Sequence, residues 1–333
     1  MINNLDINII TKQIFHIKSE TEFNDLALKI FYYQSINNPI YSEFINYLNI
    51  DITKINNVRD IPFLPIDLFK TQKIISKSNK SNIDIIFESS GTTNEKKSLH
   101  YITNVKIYEK SFMQGFSFFY NNPSNYNIIA LLPSYLEQKN SSLVYMVNKL
   151  ITASKSKYSG FFLYNFDELY DILNKIKKQN KKNILLGVSY ALLDFALQYK
   201  PDLSGMIIME TGGMKGRKKE MIREELHKIL MAYFNVDTIH SEYGMTELCS
   251  QAYSKGYGVF QCPSWMKVFV RKPDDPMNVY ETQGALNIID LANIYSCSFI
   301  ATNDLGKITS NGNFLVLGRV DASDIRGCNQ MYS

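Results

Sequence analysis

Cysteines are few and long apolar runs are missing, and each scarcity excludes a class of protein. Four cysteines in 333 residues, none closely paired, are too few for a disulfide scaffold and match no standard zinc spacing. No stretch approaches the roughly 18 apolar residues of a membrane span, and polar residues interrupt the N-terminal segment where a signal peptide is apolar. We therefore predict a cytoplasmic protein with free thiols and no membrane span. The four cysteines are Cys249, Cys262, Cys297 and Cys328.

A large excess of charge of one sign is also missing. The 36 basic and 32 acidic residues leave a formal net charge of +4, which is too small to indicate a surface for nucleic acid or membrane. The composition, 45% hydrophobic and 20% charged, is that of an ordinary globular protein with a substantial core. Evidence for function therefore has to come from local patterns along the chain.

Apolar segments between residues 83 and 240 alternate between strand and helix patterns. This alternation predicts an α/β fold with a mainly parallel sheet covered by helices. After about residue 257, short strand patterns separated by turn residues predict a smaller antiparallel β subdomain. A helix capped by Thr21 is predicted over residues 21–36. The strands predicted in the α/β part are residues 83–87, 127–134, 183–189, 205–209 and 236–240. The helices predicted there are residues 104–120, 141–153, 166–179, 190–199 and 217–233.

A loop of small residues follows the first of these strands. The sequence FESSGTTNEKK, residues 87–97, contains three kinds of group that can bind an anion: hydroxyls, backbone N–H groups around a glycine, and lysines. The segment lacks the spacing of a Walker loop. A phosphate site and an ordinary surface turn both fit this composition. The candidate phosphate ligands are Ser89, Ser90, Gly91, Thr92, Thr93 and Lys97.

Two further segments lie near strand ends at the same predicted edge of the sheet. In METGGMKGRKKE, residues 209–220, Gly212 and Gly213 allow a ligand to approach the backbone. An ordinary β–α turn explains this pair of glycines equally well.

The second segment is HSEYGMTELCSQ, residues 240–251. Tyr243 beside Gly244 can stack on a purine, and Thr246 can bond a phosphate oxygen. Glu247 can bind Mg²⁺, which prefers oxygen ligands. The alternative interpretation is a packed tyrosine beside a solvated glutamate.

The fourth segment, residues 302–328, contains a carboxylate and a cation near a predicted hairpin. Asp304, predicted in a turn before Gly306, has two oxygens that can accept both ribose hydroxyls. Asn311-Gly312 is typical of a hairpin turn. Arg319 ends a predicted strand, where its charge can reach a ribose or a phosphate. A hairpin with ordinary surface charges is the alternative.

The order of these segments resembles the adenylate-forming superfamily over residues 85–327. SSGTT near 90, YGMTE near 245, DLG at 304–306 and GR-x-D at 318–321 carry this resemblance. METGGMKGR, HSEYGMTEL and GR-x-D-x-x-D-I-R-G-C are similar to the acyl-protein synthetases (LuxE family), the synthetase subunit of bacterial fatty-acid reductase. A looser resemblance is to phenylacetate-CoA ligases.

The resemblance implies a role for each matched residue. Ser89 to Thr93 with Lys97 would hold the ATP phosphates. Gly212, Gly213 and Tyr243 would frame the adenine, and Asp304 and Arg319 would bind the ribose. Thr246 and Glu247 would handle the α-phosphate and Mg²⁺. One departure is Asn94-Glu95-Lys96-Lys97, where the superfamily usually has Gly-x-Pro-Lys.

The resemblance also implies an organisation of the chain. An adenylate-forming core would span residues 1–317, with its β-rich subdomain at about 257–317. Residues 318–333 would form a hinge and a short C-terminal tail. The C-terminal lid of the superfamily would be truncated, because only Ala322 to Ser333 follow Asp321.

The implied activity is ATP-dependent activation of a carboxylic, expected fatty, acid as acyl-AMP, followed by acyl transfer to a protein thiol. ATP and Mg²⁺ are the implied cofactors, and an acyl-thioester reductase or another acyl-acceptor protein is the implied partner. Cys328 is the predicted acyl carrier, because a thiolate forms the thioester and the nearby Arg326 lowers a thiol pKa. An incidental terminal thiol is the alternative. Two other functions stay open: a coenzyme A or carrier-protein ligase, and a non-catalytic adenylation domain acting as an interaction subunit.

The remaining cysteines and histidines have simpler interpretations. Cys249, Cys262 and Cys297 are predicted to be buried, although the first two could form a zinc site with His240. His100 follows the small-residue loop and could face the site, whereas His16 and His227 are predicted at the surface. The aromatics of residues 112–120 fit either a core helix or the wall of an acyl pocket.

Overall fold

One mixed sheet runs through the centre of the protein. The computed structural model describes residues 6–76, 82–90, 96–134, 136–212, 221–273, 275, 279 and 281–319. The strands are β1 (Leu64–Pro65), β2 (Ile85–Glu88), β3 (Leu99–Ile102), β4 (Tyr126–Leu131), β5 (Gly160–Phe161), β6 (Lys182–Val188), β7 (Ile207–Thr211), β8 (His240–Tyr243), β9 (Ala252–Ser254), β10 (Val259–Gln261), β11 (Met266–Arg271), β12 (Gln283–Asp290), β13 (Phe299–Ile308) and β14 (Phe314–Arg319). The helices are α1 (Ile7–Gln13), α2 (Glu20–Asn37), α3 (Pro39–Tyr47), α4 (Leu68–Thr71), α5 (Val105–Tyr120), α6 (Ser142–Ser154), α7 (Phe166–Ile176), α8 (Ser189–Tyr199) and α9 (Arg223–Phe234).

The first half of this sheet is parallel, in the order β5-β4-β6-β7-β8. Every residue of β4 is buried, as is every residue of β6 after the first. Burial of consecutive residues requires cover on both faces, because side chains alternate between the faces of a strand. Helices separate the strands along the chain, and the predicted α/β class is confirmed.

The second half of the sheet is antiparallel and continues directly from β8. Its order is β8-β9-β10-β14-β13-β12-β11, with β1 added parallel to β13. The predicted hairpin turn forms at Asn311-Gly312, where Gly312 has a φ of +82° that glycine tolerates without strain. The antiparallel strands thus extend the parallel ones instead of forming a separate sheet. The boundary between residues 317 and 318 stays a prediction, because residues 320–333 lie outside the described residues.

The strand predicted at 83–87 does not join the large sheet. It forms β2, which pairs only with β3 in a separate two-stranded antiparallel sheet. The sequence pattern gave no sign of β3, since LHYI is short and mixes polar and apolar residues. The small-residue loop therefore connects two strands of a hairpin, and it does not follow a strand of the parallel sheet. We call this unit the β2–β3 hairpin.

Buried amides attach the N-terminal helices to the sheet. Gln34 on α2 is fully buried and donates to the backbone carbonyls of Asn293, Ile294 and Ser296 at 3.0–3.2 Å. Its own carbonyl oxygen accepts the N–H of Ser298 at 2.9 Å. This one side chain therefore forms hydrogen bonds with three carbonyls and one N–H of the turn between β12 and β13. Left unpaired, these backbone groups would be costly to bury.

The buried residues of α9 and α5 bear on two predictions made from the sequence. In α9 the buried residues are Leu226, His227, Leu230 and Phe234. His227 thus belongs to the buried face of α9, and the prediction that it lies at the surface is wrong. In α5 most aromatics are buried in the core, which favours the core interpretation of residues 112–120. Among the described residues, no helix has both the length and the apolar character needed to cross a bilayer.

The N-cap of α2 provides a test of the first helix. Ser19 accepts the N–H of Glu22 at 3.2 Å, so Ser19, and not Thr21, is the cap. We expect Ser19→Ala to lower the free energy of unfolding by about 1 kcal/mol, because a helix N–H loses its acceptor. Urea denaturation measures this loss, and Thr21→Ala is the matched control, with an expected change under about 0.5 kcal/mol. A larger loss for Thr21→Ala than for Ser19→Ala would contradict the capping assignment.

Candidate active site

The predicted segments meet where the parallel strands end. Thr211, the last residue of β7, is paired in register with Glu242 on β8, and its hydroxyl donates to the Glu242 carboxyl. Gly212 and Gly244 continue the chain just beyond this pair. Carboxyl ends of adjacent parallel strands form the usual ligand-binding edge of such a sheet. The two glycine-containing segments are therefore neighbours, as their order in the sequence predicted.

A buried carboxylate links the end of β8 to the antiparallel half of the sheet. The Tyr243 hydroxyl donates to Asp304 Oδ2 at 2.8 Å, and Arg319 Nε donates to Asp304 Oδ1 at 3.1 Å. Asp304 lies within β13 opposite Arg319, beside a bulge between Leu305 and Gly306. It is not in the predicted turn. The bulge bends the strand and redirects its side chains, as such irregularities commonly do near sites.

Tyr243 is buried and packs against two aromatic rings of the core. Its ring lies edge-on to Phe314 at 5.4 Å and tilted to Phe260 at 5.7 Å. Burial, together with the charge of Asp304, raises the pKa of the Tyr243 hydroxyl well above its usual value. Tyr243 therefore acts as a neutral donor that orients Asp304, and its predicted stacking on a purine stays a prediction.

Glu247 is buried, and its backbone is held from two directions. Asn293 Nδ2 donates to the Glu247 carbonyl at 2.8 Å, and His100 Nδ1 contacts the Thr246 carbonyl at 2.8 Å. Burial raises the pKa of the Glu247 carboxyl, against a hydrogen bond from Ser98 that lowers it. A cation beside this carboxyl would favour its ionised form. The segment that carries Thr246 and Glu247 therefore lies next to the β2–β3 hairpin, near Ser98 and His100.

The donor set at this point fits Mg²⁺ better than zinc. A Glu247 carboxylate and a Thr246 hydroxyl, completed by phosphate oxygens and waters, match the way proteins usually hold Mg²⁺. Among the described residues, no group of three or more His, Cys, Asp and Glu side chains could hold a metal ion. The alternative zinc site of Cys249, Cys262 and His240 is therefore not formed.

A second buried carboxylate, missed in the sequence, fixes the segment after Glu247. Asp290 accepts the backbone N–H groups of Cys249 and Ser250 at 2.8 and 2.9 Å and the Ser250 hydroxyl at 2.6 Å. The N–H of Ala292 adds a fourth hydrogen bond. Burial raises the pKa of Asp290 to about 6, against these four donors, which lower it. A charged residue ending the apolar run GALNIID was the only signal of this role in the sequence.

The described part of the small-residue loop lies beside this segment. Ser89 and Ser98 are joined by two hydrogen bonds, from Ser98 N–H to Ser89 Oγ at 2.9 Å and from Ser89 N–H to the Ser98 carbonyl at 3.0 Å. Lys97 is exposed and pairs with Glu88 at 3.4 Å. Ser90 ends the described part of the loop. Gly91, Thr92 and Thr93 lie outside the described residues.

The turn after β7 begins at Gly212 and is hydrogen-bonded to a cluster of polar residues, Ser189, Glu210, Arg223 and His227. The Ser189 hydroxyl lies 2.8 Å from both the Gly212 carbonyl and Glu210 Oε1, and Gly212 has a φ of +67°. Burial alone would raise the pKa of Glu210, but His227 and Arg223, each 3.7 Å away, hold it below its usual value. Gly213 lies outside the described residues.

The described cysteines are poor nucleophiles. Cys249 and Cys297 are buried as predicted, and Cys262 is half-buried. Burial raises the pKa of the Cys297 thiol to about 12 and also raises the pKa values of Cys249 and Cys262. Thiolates are the reactive form, so these three groups are unsuited to acyl transfer at neutral pH. Cys328 lies outside the described residues.

Solved structures with the same fold include enzymes bound to ATP or to an acyl-adenylate. An open conformation of 2-hydroxyisobutyryl-CoA ligase with 2-HIB-AMP and CoA aligns with a TM-score of 0.65 and 12% identity, covering 97% of this chain and 81% of that one. ATP-bound MatB from Rhodopseudomonas palustris aligns with a TM-score of 0.53 and 16% identity over 74% of this chain. The alignment covers 49% of the MatB chain, about half its length. The fold is therefore that of the adenylate-forming enzymes.

A family model gives the narrower assignment. The model of the acyl-protein synthetases, LuxE, matches residues 16–333. No curated protein matches the chain. Because the match covers nearly the whole sequence, the chain belongs to the acyl-protein synthetase (LuxE) family.

The raised pKa of Glu242, near the end of β8, can be tested through the pH dependence of stability. Glu242 is buried, and burial raises the pKa of its carboxyl to about 7 from a usual value near 4.5. The native state therefore keeps this proton longer than the unfolded chain does, so stability should fall as pH rises from about 4.5 to about 7. We expect Glu242→Gln to remove about 3 kcal/mol of this pH-dependent loss, since each pKa unit corresponds to about 1.4 kcal/mol.

Urea denaturation of both proteins at several pH values between 4.5 and 8 measures the difference. Glu225→Gln, at an exposed position on α9, is the matched control and should follow the wild type. Identical pH dependence for wild type and Glu242→Gln would show that Glu242 ionises normally in the folded state.

Proposed function

We propose that this chain uses ATP and Mg²⁺ to convert a carboxylic acid, a fatty acid by analogy with its family, into an acyl-adenylate, and then passes the acyl group to a protein thiol. The observation that supports this most is the convergence of Glu247, Asp304 and Gly212 at one edge of the sheet, together with the Ser89–Ser98 pair of the hairpin. Membership of the acyl-protein synthetase family supports the same activity.

Asp304 is suited to bind a ribose without losing its present contacts. A carboxylate offers about four lone-pair positions on its two oxygens. Tyr243 and Arg319 each use one of these positions, on different oxygens. The other two can accept the 2′- and 3′-hydroxyls of a nucleotide, and the exposed Arg319 guanidinium can add a contact to the ribose or the phosphates.

The first half-reaction is attack of the substrate carboxylate on the α-phosphate of ATP, with release of pyrophosphate. Thr246 and the N–H groups of the Ser89–Thr93 loop would stabilise the charge that develops on the phosphate oxygens. Glu247 would hold Mg²⁺, which when bound supplies positive charge against the phosphates. Positioning of the two reactants contributes more than acid–base chemistry here, because both are already ionised.

The second half-reaction transfers the acyl group from AMP to a thiol. The sulfur attacks the acyl carbonyl and the bond to AMP breaks, which leaves a thioester. Cys328 is our candidate, because the three described cysteines are hindered by burial and by raised pKa values. An acyl-thioester reductase or another acceptor protein would then take the acyl group.

The nucleotide role predicts a loss of ATP–pyrophosphate exchange in two variants. Asp304→Ala removes the ribose acceptor, and Glu247→Gln removes the charge offered to Mg²⁺. We expect each to lower the exchange rate, measured against a panel of fatty and aromatic acids, by about 100-fold or more. Asp202→Asn, which alters an exposed carboxylate in a surface ion pair with Lys177, is the control and should retain the wild-type rate. Full exchange in Glu247→Gln or Asp304→Ala would overturn the proposed activity.

The thiol role predicts a separation of the two half-reactions. Cys328→Ser should abolish covalent labelling of the chain by a radiolabelled acid with ATP, while pyrophosphate exchange continues, because only the acceptor is lost. Cys262→Ser is the matched control and should be labelled like the wild type. If Cys328→Ser still forms product on coenzyme A at the wild-type rate and the wild type is never labelled, the coenzyme A ligase alternative replaces the protein-thiol acceptor.

A further inference from the structure

His100 joins the β2–β3 hairpin to the segment that carries Thr246 and Glu247. Its side chain is fully buried, and its Nδ1 lies 2.8 Å from the Thr246 carbonyl oxygen. A carbonyl only accepts, so Nδ1 carries the proton and donates. Nε2 is also buried and has no hydrogen-bond partner within the described residues. A buried imidazole with one committed nitrogen and one unsatisfied nitrogen is costly, and such groups call for an explanation.

The hairpin is held to the rest of the protein at its β2 edge, where the Glu88 N–H donates to the Asn140 carbonyl at 2.8 Å and Asn140 Nδ2 donates to Glu88 Oε1 at 3.0 Å. Its two strands pair only with each other among the described residues. Phe87, opposite His100 and on the same face, packs against Tyr108 and Tyr145 at 5.1 and 5.5 Å between ring centroids. Such apolar contacts are non-directional and favour burial of that face without selecting one position along it. The Glu88–Asn140 hydrogen bonds fix the β2 edge, and the His100 hydrogen bond fixes the β3 edge relative to Thr246.

We propose that His100 is a positioning residue, which sets the β2–β3 hairpin, with Ser89 and Ser90 at the end of β2, at the correct distance from Thr246 and Glu247. Ser98, two residues before His100, is joined by two hydrogen bonds to Ser89, in the described part of the loop. A shift of the hairpin would therefore displace Ser89 and Ser98 relative to both Thr246 and Glu247. This role rests on the proposed adenylation, in which the loop and Glu247 act on the same phosphates.

Two amide substitutions distinguish positioning from simple packing. In His100→Asn the amide nitrogen branches from Cγ, as Nδ1 does, so a donor stays near the Thr246 carbonyl. In His100→Gln the amide lies one carbon further out and cannot occupy that position. We expect His100→Gln to lower kcat of ATP–pyrophosphate exchange about tenfold, with a smaller change in KM for ATP, because the lost contact acts when charge develops on the phosphate. His100→Asn should stay within about twofold of the wild type.

A second measurement, hydrogen–deuterium exchange of the ligand-free full chain, does not depend on the activity. His100→Gln should raise amide exchange in the segment 244–251, and His100→Asn should not. Tyr120→Phe is the control, because it removes another buried histidine contact, from the Tyr120 hydroxyl to His240 Nδ1 at 3.0 Å, at a different place on the sheet. It should leave exchange in 244–251 unchanged.

The outcomes separate this role from the proposed function. Equal exchange kinetics and equal amide protection in both His100 variants and the wild type would overturn the positioning role. Equal losses in both variants, without rescue by Asn, would also overturn it and leave His100 as a packing residue. If the wild type shows no pyrophosphate exchange with any acid, the proposed function fails, and amide exchange alone then decides whether His100 positions the hairpin.

Discussion

The candidate site depends first on one buried carboxylate, Asp290. It accepts four hydrogen bonds, three of them from Cys249 and Ser250, and so fixes the chain just after Glu247. The Ser250 hydroxyl also accepts the indole N–H of Trp265, the only tryptophan, at 2.9 Å. A buried acid that lost these donors would be strongly destabilising. The segment 244–251 is therefore a rigid part of the core, although it has no regular secondary structure.

The junction of the two halves of the sheet explains why a site forms here. Parallel strands bring Gly212 and Gly244 to one edge, as their crossovers require. Antiparallel strands then return from β8 and bring Asp304 and Arg319 to the same place. Neither half alone contains all the residues of the proposed nucleotide site. Besides the β8–β9 pairing, the Tyr243–Asp304 hydrogen bond links the end of β8 directly to β13.

Most helices and buried strands could be predicted from the sequence, because their periodicity is strong. Helix α5 and strands β4 and β6 lie within a few residues of their predicted positions. The grouping of Tyr243, Glu247 and Asp304 came from motif order, which no local pattern contains. Asp304 was expected in a turn because Gly306 follows it closely. In the structure Gly306 lies at a bulge within β13 instead. His227 and Asp290 were missed because their partners are distant in sequence, and burial of a polar residue depends on those partners.

The proposed function requires that one nucleotide contact Asp304, Glu247 and the β2–β3 hairpin at the same time. A crystal structure of the full chain with ATP and Mg²⁺ tests it most directly. We expect the ribose hydroxyls within hydrogen-bond distance of Asp304, with the phosphates between Glu247 and the Ser89–Thr93 loop. A nucleotide bound elsewhere, with Asp304 contacting only Tyr243 and Arg319, would contradict it.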